Sequence, residues 1–571
     1  MQIPGWARSI PLLSWAWDYD RSRLREDVIA GIVVTFLTIP QAIAYAFLAG
    51  LPAEAGLYAA IAALVCYAVF GSSRTLAVGP TAIVAMMCLE IVSALAPAGT
   101  TAYADTAVQL ALVTGLVLIF LRMINFGALV SFLSHAVVTG FVSAAACLII
   151  VSQFPAIAGI EAAPAPGIGV ILFHLGAYVN YLDPVTLSIS LSAMLLMWFC
   201  RSPLSKIVEH LSLSPKFSNA LSRSAPMYAV LLGILLVWGF SLGEVAVVGD
   251  IPTHLPSLRL RLFDLEQMLQ LLPSAVLISM VIFIESTSVG TAVAAKRREK
   301  IEPNRELVAL GGANVGAALL GGFPVAGSFA RTIVNFGSGA TSPMASLITA
   351  LGVIVVVAWL APLFYYVPQC VLAAVIVMSA LQLIDVPLIL KIVRFNQTDA
   401  VTFLCTFVAV LATGVETGIL IGIAISFALV IRASSKPNIA VVGRVGQSEH
   451  FRNVSRHAVM TSPHVLAVRI DESLYFVNTR YIETFLLSRV AESPALQHVL
   501  LICTATNFID TSGLEMLETL SGNLDAAGVT LHLAEVKGPV MDRLTQTDYY
   551  RQMRGQVFFT ADIAMRELGG I

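Results

Sequence analysis

Residues Gly321–Gly339 read GGFPVAGSFARTIVNFGSG, a short glycine-rich stretch between two apolar segments that are each long enough to cross a lipid bilayer. The stretch itself is too short to cross. A second short element, Ala77–Val92 (AVGPTAIVAMMCLEIV), holds a comparable place in the first half of the chain. Two interrupted segments in corresponding halves are typical of the binding site of a secondary transporter.

Each short element predicts a half-helix that begins in the middle of the membrane. The unpaired N–H groups and the positive dipole end of such a helix favour an anion, and Arg331 near the start of the second element adds a positive charge. The alternative is a pair of re-entrant or kinked helices with only a packing role.

The composition places the chain among membrane proteins. Of its 571 residues, 57% are hydrophobic and 12% are charged, whereas a soluble protein carries roughly 25% charged residues. The net charge of −2 gives no reason to expect a nucleic-acid partner. The seven cysteines lack the spacing of a metal site, so we expect no disulfide and no structural metal.

Apolar runs predict a polytopic α-helical membrane protein of about fourteen segments, counting the two short elements. The segments divide seven and seven, with a short element third in each half. A repeat of seven segments must insert upside down relative to its partner, which predicts an inverted repeat over about 28–242 and 272–433 in a membrane domain of residues 28–435. The longer segments are predicted near 28–49, 52–70, 106–124, 128–152, 183–200, 226–242, 272–294, 304–320, 343–361, 367–384, 397–413 and 415–433.

The lysines and arginines predict the orientation. With the N-terminus inside, the external loops hold only Arg259 and Arg261, as the positive-inside rule requires. We therefore expect a protein of the inner cell membrane with both termini in the cytoplasm. Residues 1–27 are predicted to form a cytoplasmic lead-in at the membrane surface without a signal peptide. The expected cytoplasmic loop cations are Arg74, Arg122, Arg201, Lys206, Lys216, Arg223, Lys296, Arg297, Arg298, Lys300, Lys391 and Arg394.

The character of the chain changes after about residue 436, where charged residues return. We interpret 436–460 as a linker and 461–571 as a small cytoplasmic α/β domain, because apolar strands alternate there with helical patterns. The predicted strands are VLAVRI, LYFV, His498–Cys503 and VTLHLA, and the predicted helices are Tyr481–Ala491, Ser512–Leu520 and Pro539–Leu544.

Glu285 is the candidate for ion coupling. It follows the apolar run Val276–Ile284, and a carboxylate at that depth marks an ion pathway or a proton relay by default. The coupling ion would be a proton, or a sodium ion held by Glu285 and nearby hydroxyl groups. Permanent pairing with Arg331 or with backbone N–H groups is the structural alternative. Glu90 lies about 15 Å beyond Pro80 along the short helix, near the membrane surface, and is assigned a structural role.

Gln41 and Tyr45 lie four residues apart on one face of the first segment. Both side chains can hydrogen-bond an anion, and Pro40 would free backbone groups beside them. An ordinary hydrogen bond between helices is the alternative for this pair.

Several motifs together resemble the SulP family of sulfate permeases. They are IPQAIAYAFLAGLPAEAGLY followed by GSSRTLAVGPTA, then HAVVTGFVSAAACLIIVSQF, FIESTSVGTAVA, ELVALGGANVGAALLGGFPVAGSFARTIVNFGSGA and VPQCVLAAVIV. The C-terminal α/β domain is similar to the STAS domain that such permeases carry.

The resemblance implies a uracil-permease-like fold, in which segments one to four and eight to eleven form a core that moves against a gate of the other segments. It also implies a homodimer, and an anion site between the N-termini of the third and tenth segments. The residues that it places at or beside the anion are Gln41, Tyr45, Thr81, Glu285, Ser328, Phe329, Ala330 and Arg331.

Two positions depart from relatives of the family. Ala330 stands where many relatives have a serine, which removes one hydroxyl donor. Val289, one turn after Glu285, lacks a hydroxyl group that a sodium-coupled bicarbonate relative offers there, which favours a proton as the coupling ion.

In the C-terminal domain, Ser512 lies in the sequence Asp510-Thr511-Ser512-Gly513-Leu514. This stretch resembles the loop in which anti-sigma-factor antagonists are phosphorylated, and Ser512 aligns with the modified serine. A simple helix N-cap is the alternative. The regulatory interpretation adds a cytoplasmic protein partner for this domain.

The leading hypothesis is a secondary transporter that imports an oxyanion such as sulfate together with a proton. Bicarbonate, C4-dicarboxylates, sodium coupling and uncoupled anion exchange stay open. A membrane scaffold that acts through its cytoplasmic domain is the alternative of a different class. An enzyme is not expected, because the sequence shows no nucleophile–base pair and no cofactor motif.

Overall fold

The structure is a computed structural model that describes residues 15, 19–127, 134–160, 182–201, 222, 224–253, 256 and 264–569. The chain divides after Ala424 into two compact units. Most of the predicted lead-in 1–27 and most of the loop Pro155–Asp183 lie outside the described residues. The same is true of the loop cations Lys206, Lys216, Arg223, Arg259 and Arg261.

Each of the fourteen predicted segments corresponds to a helix in the described residues. Nine helices in this part of the chain are long and apolar enough to cross a membrane. The helices are α1 Arg21–Leu48, α2 Ala53–Phe70, α3 Ala82–Ser93, α4 Thr101–Met123, α5 His135–Ser152, α6 Pro184–Arg201, α7 Ala225–Gly239, α8 Leu265–Arg297, α9 Pro303–Leu319, α10 Phe329–Gly337, α11 Met344–Val355, α12 Gln369–Ala380, α13 Gln397–Thr413 and α14 Val415–Ser435. Short helices cover Phe154–Ala158 and Val386–Phe395.

Two helices begin seven residues earlier than their apolar runs predict, at Arg21 and Leu265, and in both cases an aspartate caps the start. Asp20 accepts a hydrogen bond from the Arg23 amide (2.8 Å) at the start of α1. Asp264 accepts one from the Glu266 amide (3.0 Å) at the start of α8. A side-chain oxygen at this position satisfies one of the free N–H groups of the first turn, so each helix extends beyond its apolar run.

The helices pack as two bundles. One consists of α1–α4 and α8–α11, in which α9 lies against α2 and α4, α11 lies against α1 and α2, and α8 lies against α4. The other contains α5–α7 and α12–α14, in which α5 packs on α13 and α6 packs on α7 and α12. Gly418 and Gly422 of α14 approach Val410 and Thr406 of α13, so α14 belongs to the second bundle. This partition is the core and gate arrangement predicted above.

Small residues allow the close packing inside the first bundle. A Cβ atom on Gly56 of α2 would lie 2.0 Å from the carbonyl oxygen of Ala42 on α1. A Cβ atom on Gly311 of α9 would lie 2.9 Å from the carbonyl oxygen of Gly115 on α4. Glycine at such positions lets neighbouring backbones approach, as is usual between membrane helices.

Two short strands cross inside the first bundle and lead into the half-helices. Strand β1 (Val78–Gly79) pairs antiparallel with β2 (Ala326–Gly327), so that Val78 lies opposite Gly327. The chain continues from β1 into α3 and from β2 into α10. The backbone pairing therefore fixes the starts of the two half-helices relative to each other.

Side chains complete this crossing. The Asn314 amide of α9 donates to the carbonyl oxygen of Val325 (3.0 Å) and accepts from its N–H group (2.9 Å), as a neighbouring strand would. Thr332 accepts from the Ala77 amide at 3.1 Å. Backbone groups outside regular structure are tolerated at membrane depth only when such partners satisfy them.

The second unit contains a six-stranded sheet in the order β4-β3-β5-β6-β7-β8. Strands β5 to β8 are parallel, and β3 runs antiparallel to both β4 and β5. The strands are β3 Ile439–Arg444, β4 Phe451–Asn453, β5 Val465–Ile470, β6 His498–Ile502, β7 Thr530–Ala534 and β8 Val557–Phe558. The helices are α15 Thr479–Ala491, α16 Thr511–Ala526, α17 Gly538–Leu544, α18 Asp548–Gln552 and α19 Ala561–Gly569.

Helices cover both faces of this sheet. Side chains of α15, α16 and α17 share one apolar cluster with one face, and those of α19 share another with the opposite face. The predicted α/β domain is therefore present, built around parallel strands joined by helices.

Two details of the second unit differ from the sequence prediction. The stretch 436–460, which we predicted as a linker, contributes β3 and β4, and the pairing of β3 with β5 provides the contacts that a linker would lack. The segment LYFV is a turn rather than a strand, since the Asn478 side chain accepts from the Tyr475 amide (3.2 Å) and donates to the carbonyl oxygen of Ser473 (2.8 Å). Only Leu474 keeps a strand-like bridge, with Ile509.

Candidate functional site

The candidate site lies where α3 and α10 begin. Thr81 and Ser328 are the N-cap residues of these helices, and both have extended backbones. The Ser328 hydroxyl accepts from the Arg331 amide at 3.4 Å. The Thr81 hydroxyl is buried and interacts with the Glu285 carboxylate. Two helix N-termini held side by side by β1 and β2 form a positive electrostatic environment for an anion.

Arg331 lies fully buried in the first turn of α10. Its Nη2 atom donates to the carbonyl oxygen of Pro80 at 2.7 Å, which ties α10 to the residue just before α3. Its Nε and Nη1 atoms have no partner among the described residues. A buried guanidinium group with free donors is costly unless a ligand or a counter-charge satisfies it.

Glu285 of α8 is the acidic group that faces this arginine. Its carboxylate interacts electrostatically with Arg331 and with the Thr81 side chain. Its Oε2 atom is buried and without a partner in the described part of the chain. Ser286, the residue after Glu285 on α8, accepts a hydrogen bond from the Gly327 amide at 2.8 Å. Because Gly327 lies just before α10, the helix that carries Glu285 is also joined to the half-helix crossing.

Two other buried carboxylates of this unit show what a structural role looks like. Asp27 accepts hydrogen bonds from the Thr341 and Ser342 amides and from the Ser342 hydroxyl. Glu306 accepts from the Tyr67 hydroxyl (2.8 Å) and from other groups near the end of α2. Both carboxylates are satisfied by the fold, whereas the Oε2 atom of Glu285 lacks a partner among the described residues.

Gln41 and Tyr45 lie buried on α1, next to the half-helices. The Tyr45 hydroxyl interacts electrostatically with both Arg331 and Glu285. The Gln41 Nε2 atom donates to the hydroxyl of Ser379 on α12 at 3.4 Å, and its Oε1 atom has no described partner. The structure thus brings both side chains to the site, and the interhelical hydrogen bond considered for Gln41 also exists.

Phe329 and Ala330 lie in the first turn of α10 and are not fully buried. Phe329 is 39% exposed, which is unusual for a large apolar residue at the middle of a bundle. On α8, Ser288 is exposed one turn after Glu285, whereas Val281 is buried one turn before it. Next to Glu285 on α8, the side chain is therefore exposed at Ser288, on the side toward Arg297, and buried at Val281.

An apolar cavity adjoins Glu285 on the buried side, between the two bundles. Its walls come from α3, α5, α8 and α14. Among the described residues that line it, Glu285 is the only charged one. The lining residues include Ile83, Phe141, Leu277, Val281, Ile419 and Ile423.

The sequence did not single out four polar residues that build the site. They are buried or half-buried hydroxyl and amide groups within otherwise apolar helices, a pattern that gives only a weak signal in a sequence. Their hydrogen bonds are to backbone groups of the crossing or to Gln41, so their role depends on the tertiary structure. These residues are Ser286, Asn314, Thr332 and Ser379.

Ser512 lies in the first turn of α16, in the second unit. The N-cap of this helix is Asp510, whose carboxylate accepts from the Gly513 amide at 2.8 Å. The capping role considered for Ser512 therefore belongs to Asp510. A cavity next to this turn is lined by Phe508, Asp510, Thr511, Leu514, Arg543 and Thr547, among others.

Known protein families match nearly the whole chain. Residues 24–406 match the sulfate permease family and residues 457–562 match the STAS domain. Sulfate transporter 4.1, chloroplastic, of Arabidopsis thaliana is 32% identical over 535 residues, which cover 91% of this chain and 76% of that protein. High affinity sulfate transporter 2 of Stylosanthes hamata is 28% identical over 578 residues, which cover 98% of this chain and 86% of that protein.

Solved structures share the fold. The murine Solute Carrier 26 family member A9 anion transporter, in its inward-facing state, superposes with a TM-score of 0.86 at 21% identity over 99% of this chain and 95% of that one. The transmembrane domain of the cyanobacterial bicarbonate transporter BicA superposes with a TM-score of 0.59 at 23% identity, over 72% of this chain and 98% of that domain.

These matches are to transporters rather than enzymes, and the motifs, the paired half-helices and the α/β domain agree with them. The chain belongs to the sulfate permease family and carries a C-terminal STAS domain.

Proposed function

We propose that this protein imports an oxyanion, sulfate in the first place, together with a proton, by alternating access. Two observations support sulfate as the first anion to test. Relatives that are 32% and 30% identical are named as a sulfate transporter and a probable sulfate transporter. The site offers a fixed positive charge together with two helix N-termini.

The observation that carries the proposal is the unsatisfied pair of Arg331 and Glu285. Two nitrogens of the guanidinium group and one oxygen of the carboxylate facing it have no partner among the residues that the structure describes. An anion bound to Arg331 and the half-helix N-termini would repel a charged Glu285. Protonation of Glu285 removes this repulsion, so anion and proton would bind together and leave together.

The test is sulfate uptake into proteoliposomes with and without an inward proton gradient, for the wild type and for Glu285→Gln. The wild type should accumulate sulfate only with the gradient. Glu285→Gln should lose accumulation and keep sulfate exchange, because the amide resembles the protonated acid. Glu266→Gln, an exposed acid in the first turn of α8, is the matched control and should behave as the wild type does.

Other outcomes of the same assay select the alternatives. Accumulation driven by a sodium gradient would identify sodium, rather than the proton, as the coupling ion. Gradient-independent exchange in both proteins would point to an uncoupled exchanger. If sulfate does not enter at all, bicarbonate and succinate take its place in the assay, and failure of all three anions would contradict the transport proposal and favour a scaffold.

The STAS domain, the dimer and the membrane location extend the proposal. We place the protein in the inner cell membrane as a homodimer, with both termini in the cytoplasm and a cytoplasmic protein as the partner of the STAS domain. A variant that ends before β3, without residues 437–571, should still bind sulfate through the first unit. Loss of sulfate binding in a folded truncated protein would assign the binding role to the second unit instead.

A further inference from the structure

Glu90, on the second half of α3, joins the two bundles at the end opposite the positive cluster Lys296–Arg298. Its Oε2 atom accepts a hydrogen bond from the Val415 amide, at the first residue of α14, at 3.0 Å. The donor lies 325 residues away in the chain. A carboxylate at a helix N-terminus satisfies a free N–H group and interacts favourably with the helix dipole.

The backbone at this contact is shaped for the carboxylate. Gly414 has φ +94°, which residues with a side chain rarely adopt, and its added Cβ atom would lie 2.3 Å from Glu90 Oε1. The turn between α13 and α14 can therefore approach Glu90 only because residue 414 is glycine.

A second hydrogen bond crosses the same boundary. The Ser274 hydroxyl of α8 donates to the Glu416 carboxylate of α14 at 2.8 Å. Helices α3 and α8 belong to the first bundle and α14 to the second, so the start of α14 is tied twice to the bundle that holds the anion site. The cavity that Glu285 lines is also lined by Ile419 and Leu277, which lie one helical turn after Glu416 and Ser274 in the chain.

We propose that Glu90 is a positioning residue for the transport cycle: its bond to the start of α14 holds the two bundles together at this end in one state of that cycle. The inference rests on the proposed alternating access. The two bundles must move relative to each other for access to change sides, and the bonds from Glu90 and Ser274 then have to break. Glu90 thus stabilises one of the two states and leaves the other without this contact.

The consequence is a shift of population. A hydrogen bond to a charged group is strong enough that its loss from one state changes the ratio of the two states by about ten-fold or more. Removing the Glu90 carboxylate should therefore open the outer end more often and the inner end less often, in the orientation proposed above.

Thiol labelling measures both ends without any need for transport. One reporter is Ile419→Cys, in the cavity just inside the Glu90 contact, and the other is Ser288→Cys, exposed on α8 at the opposite side of the site. A membrane-impermeant maleimide is applied to one side of sealed vesicles at a time. The signal of the seven native cysteines, measured without either reporter, is subtracted.

With Glu90→Ala, labelling of the cysteine at 419 from the outer side should rise about ten-fold and labelling at 288 from the inner side should fall. Glu90→Gln, which keeps an acceptor without the charge, and Ser274→Ala should give smaller changes in the same directions. Glu266→Gln should change neither rate. Unchanged labelling, or a rise at both reporters, would overturn the proposal, because a residue that only supports the fold would loosen both ends or neither. A failure of sulfate uptake would leave these rates readable, so the two proposals fail separately.

Discussion

Arg331 and Pro80 lie 251 residues apart in the chain, yet the arginine Nη2 atom donates to the Pro80 carbonyl oxygen at 2.7 Å. The bond joins the first turn of one half-helix to the residue that precedes the other. It also fixes the direction of the guanidinium group, so that Nε and Nη1 stay available for a ligand. The anion site is therefore one unit built from two distant segments, and a change on either segment should affect it.

Gly79→Ala should disturb Arg331 from the opposite segment. A Cβ atom at position 79 would lie 3.1 Å from Arg331 Nη2, so the guanidinium group would have to shift away from Pro80. We expect sulfate affinity to fall by about ten-fold, since a misplaced charge-assisted donor loses most of its contribution. Gly239→Ala is the control, because no atom of the described residues lies within 4 Å of the added atom. Equal sulfate KM in both variants would contradict the prediction.

Ala330→Ser should strengthen the site. Ala330 lies in the first turn of α10, half-buried beside Arg331, and a hydroxyl group there adds a donor for the anion. The sulfate KM should fall roughly 3- to 10-fold, as measured by uptake at varied sulfate concentration. The same substitution at the exposed Ala433 should leave the KM unchanged. An unchanged KM in Ala330→Ser would show that the position does not face the anion.

Asp510→Ala should weaken the start of α16, whereas Ser512→Ala should not. Asp510 caps the helix through the Gly513 amide at 2.8 Å and also accepts from the Phe476 amide. Loss of such a cap costs about 1 kcal/mol or more. Hydrogen exchange of the α16 amides in the full-length protein measures the effect. If Ser512→Ala raises exchange as much as Asp510→Ala does, the hydroxyl has a structural role that the geometry does not show.

The STAS domain should lose stability as the pH falls below neutral. His532 is buried, and this burial, helped by the neighbouring His498, lowers its pKa to about 4. Its Nδ1 atom accepts from the Gln556 amide at 3.0 Å, a bond that the protonated ring cannot make. The unfolded chain takes up the proton near the ordinary value of about 6.5, so the stabilisation is complete above that pH and is lost as the pH falls toward 4.

The slope should be at most about 1.4 kcal/mol per pH unit for this one proton. Hydrogen exchange of the β7 amides, corrected for the intrinsic pH dependence of exchange, gives the free energy of opening. His532→Gln should remove most of the dependence of this free energy on pH between pH 6.5 and 4. His457→Gln, at an exposed position, is the control and should leave the dependence unchanged. A slope that persists in His532→Gln would place the titrating group elsewhere.

Much of the fold could be predicted because its signals are local. Apolar runs of spanning length predicted twelve of the fourteen helices, and the glycine-rich interruptions predicted the other two, the half-helices α3 and α10. The prediction failed at β3 and β4, where short strands gain their stability from pairing with β5 and with each other rather than from their own pattern. It also failed at LYFV, where the Asn478 side chain closes a turn.

The sequence by itself determined the membrane class, the two half-helices, the α/β domain and the residue types of the site, because hydrophobic length and helix interruption act along the chain. Only the tertiary structure decided which buried carboxylates have partners. Asp27 and Glu306 are satisfied by residues distant in sequence, whereas one oxygen of Glu285, beside Arg331, has no partner in the described part of the chain. The same holds for Glu90, whose partner at Val415 belongs to the other bundle. A buried polar group is unfavourable unless it has a hydrogen-bond partner. Whether that partner is a residue of the fold, a ligand or a contact that changes during transport depends on what the tertiary structure places beside the group.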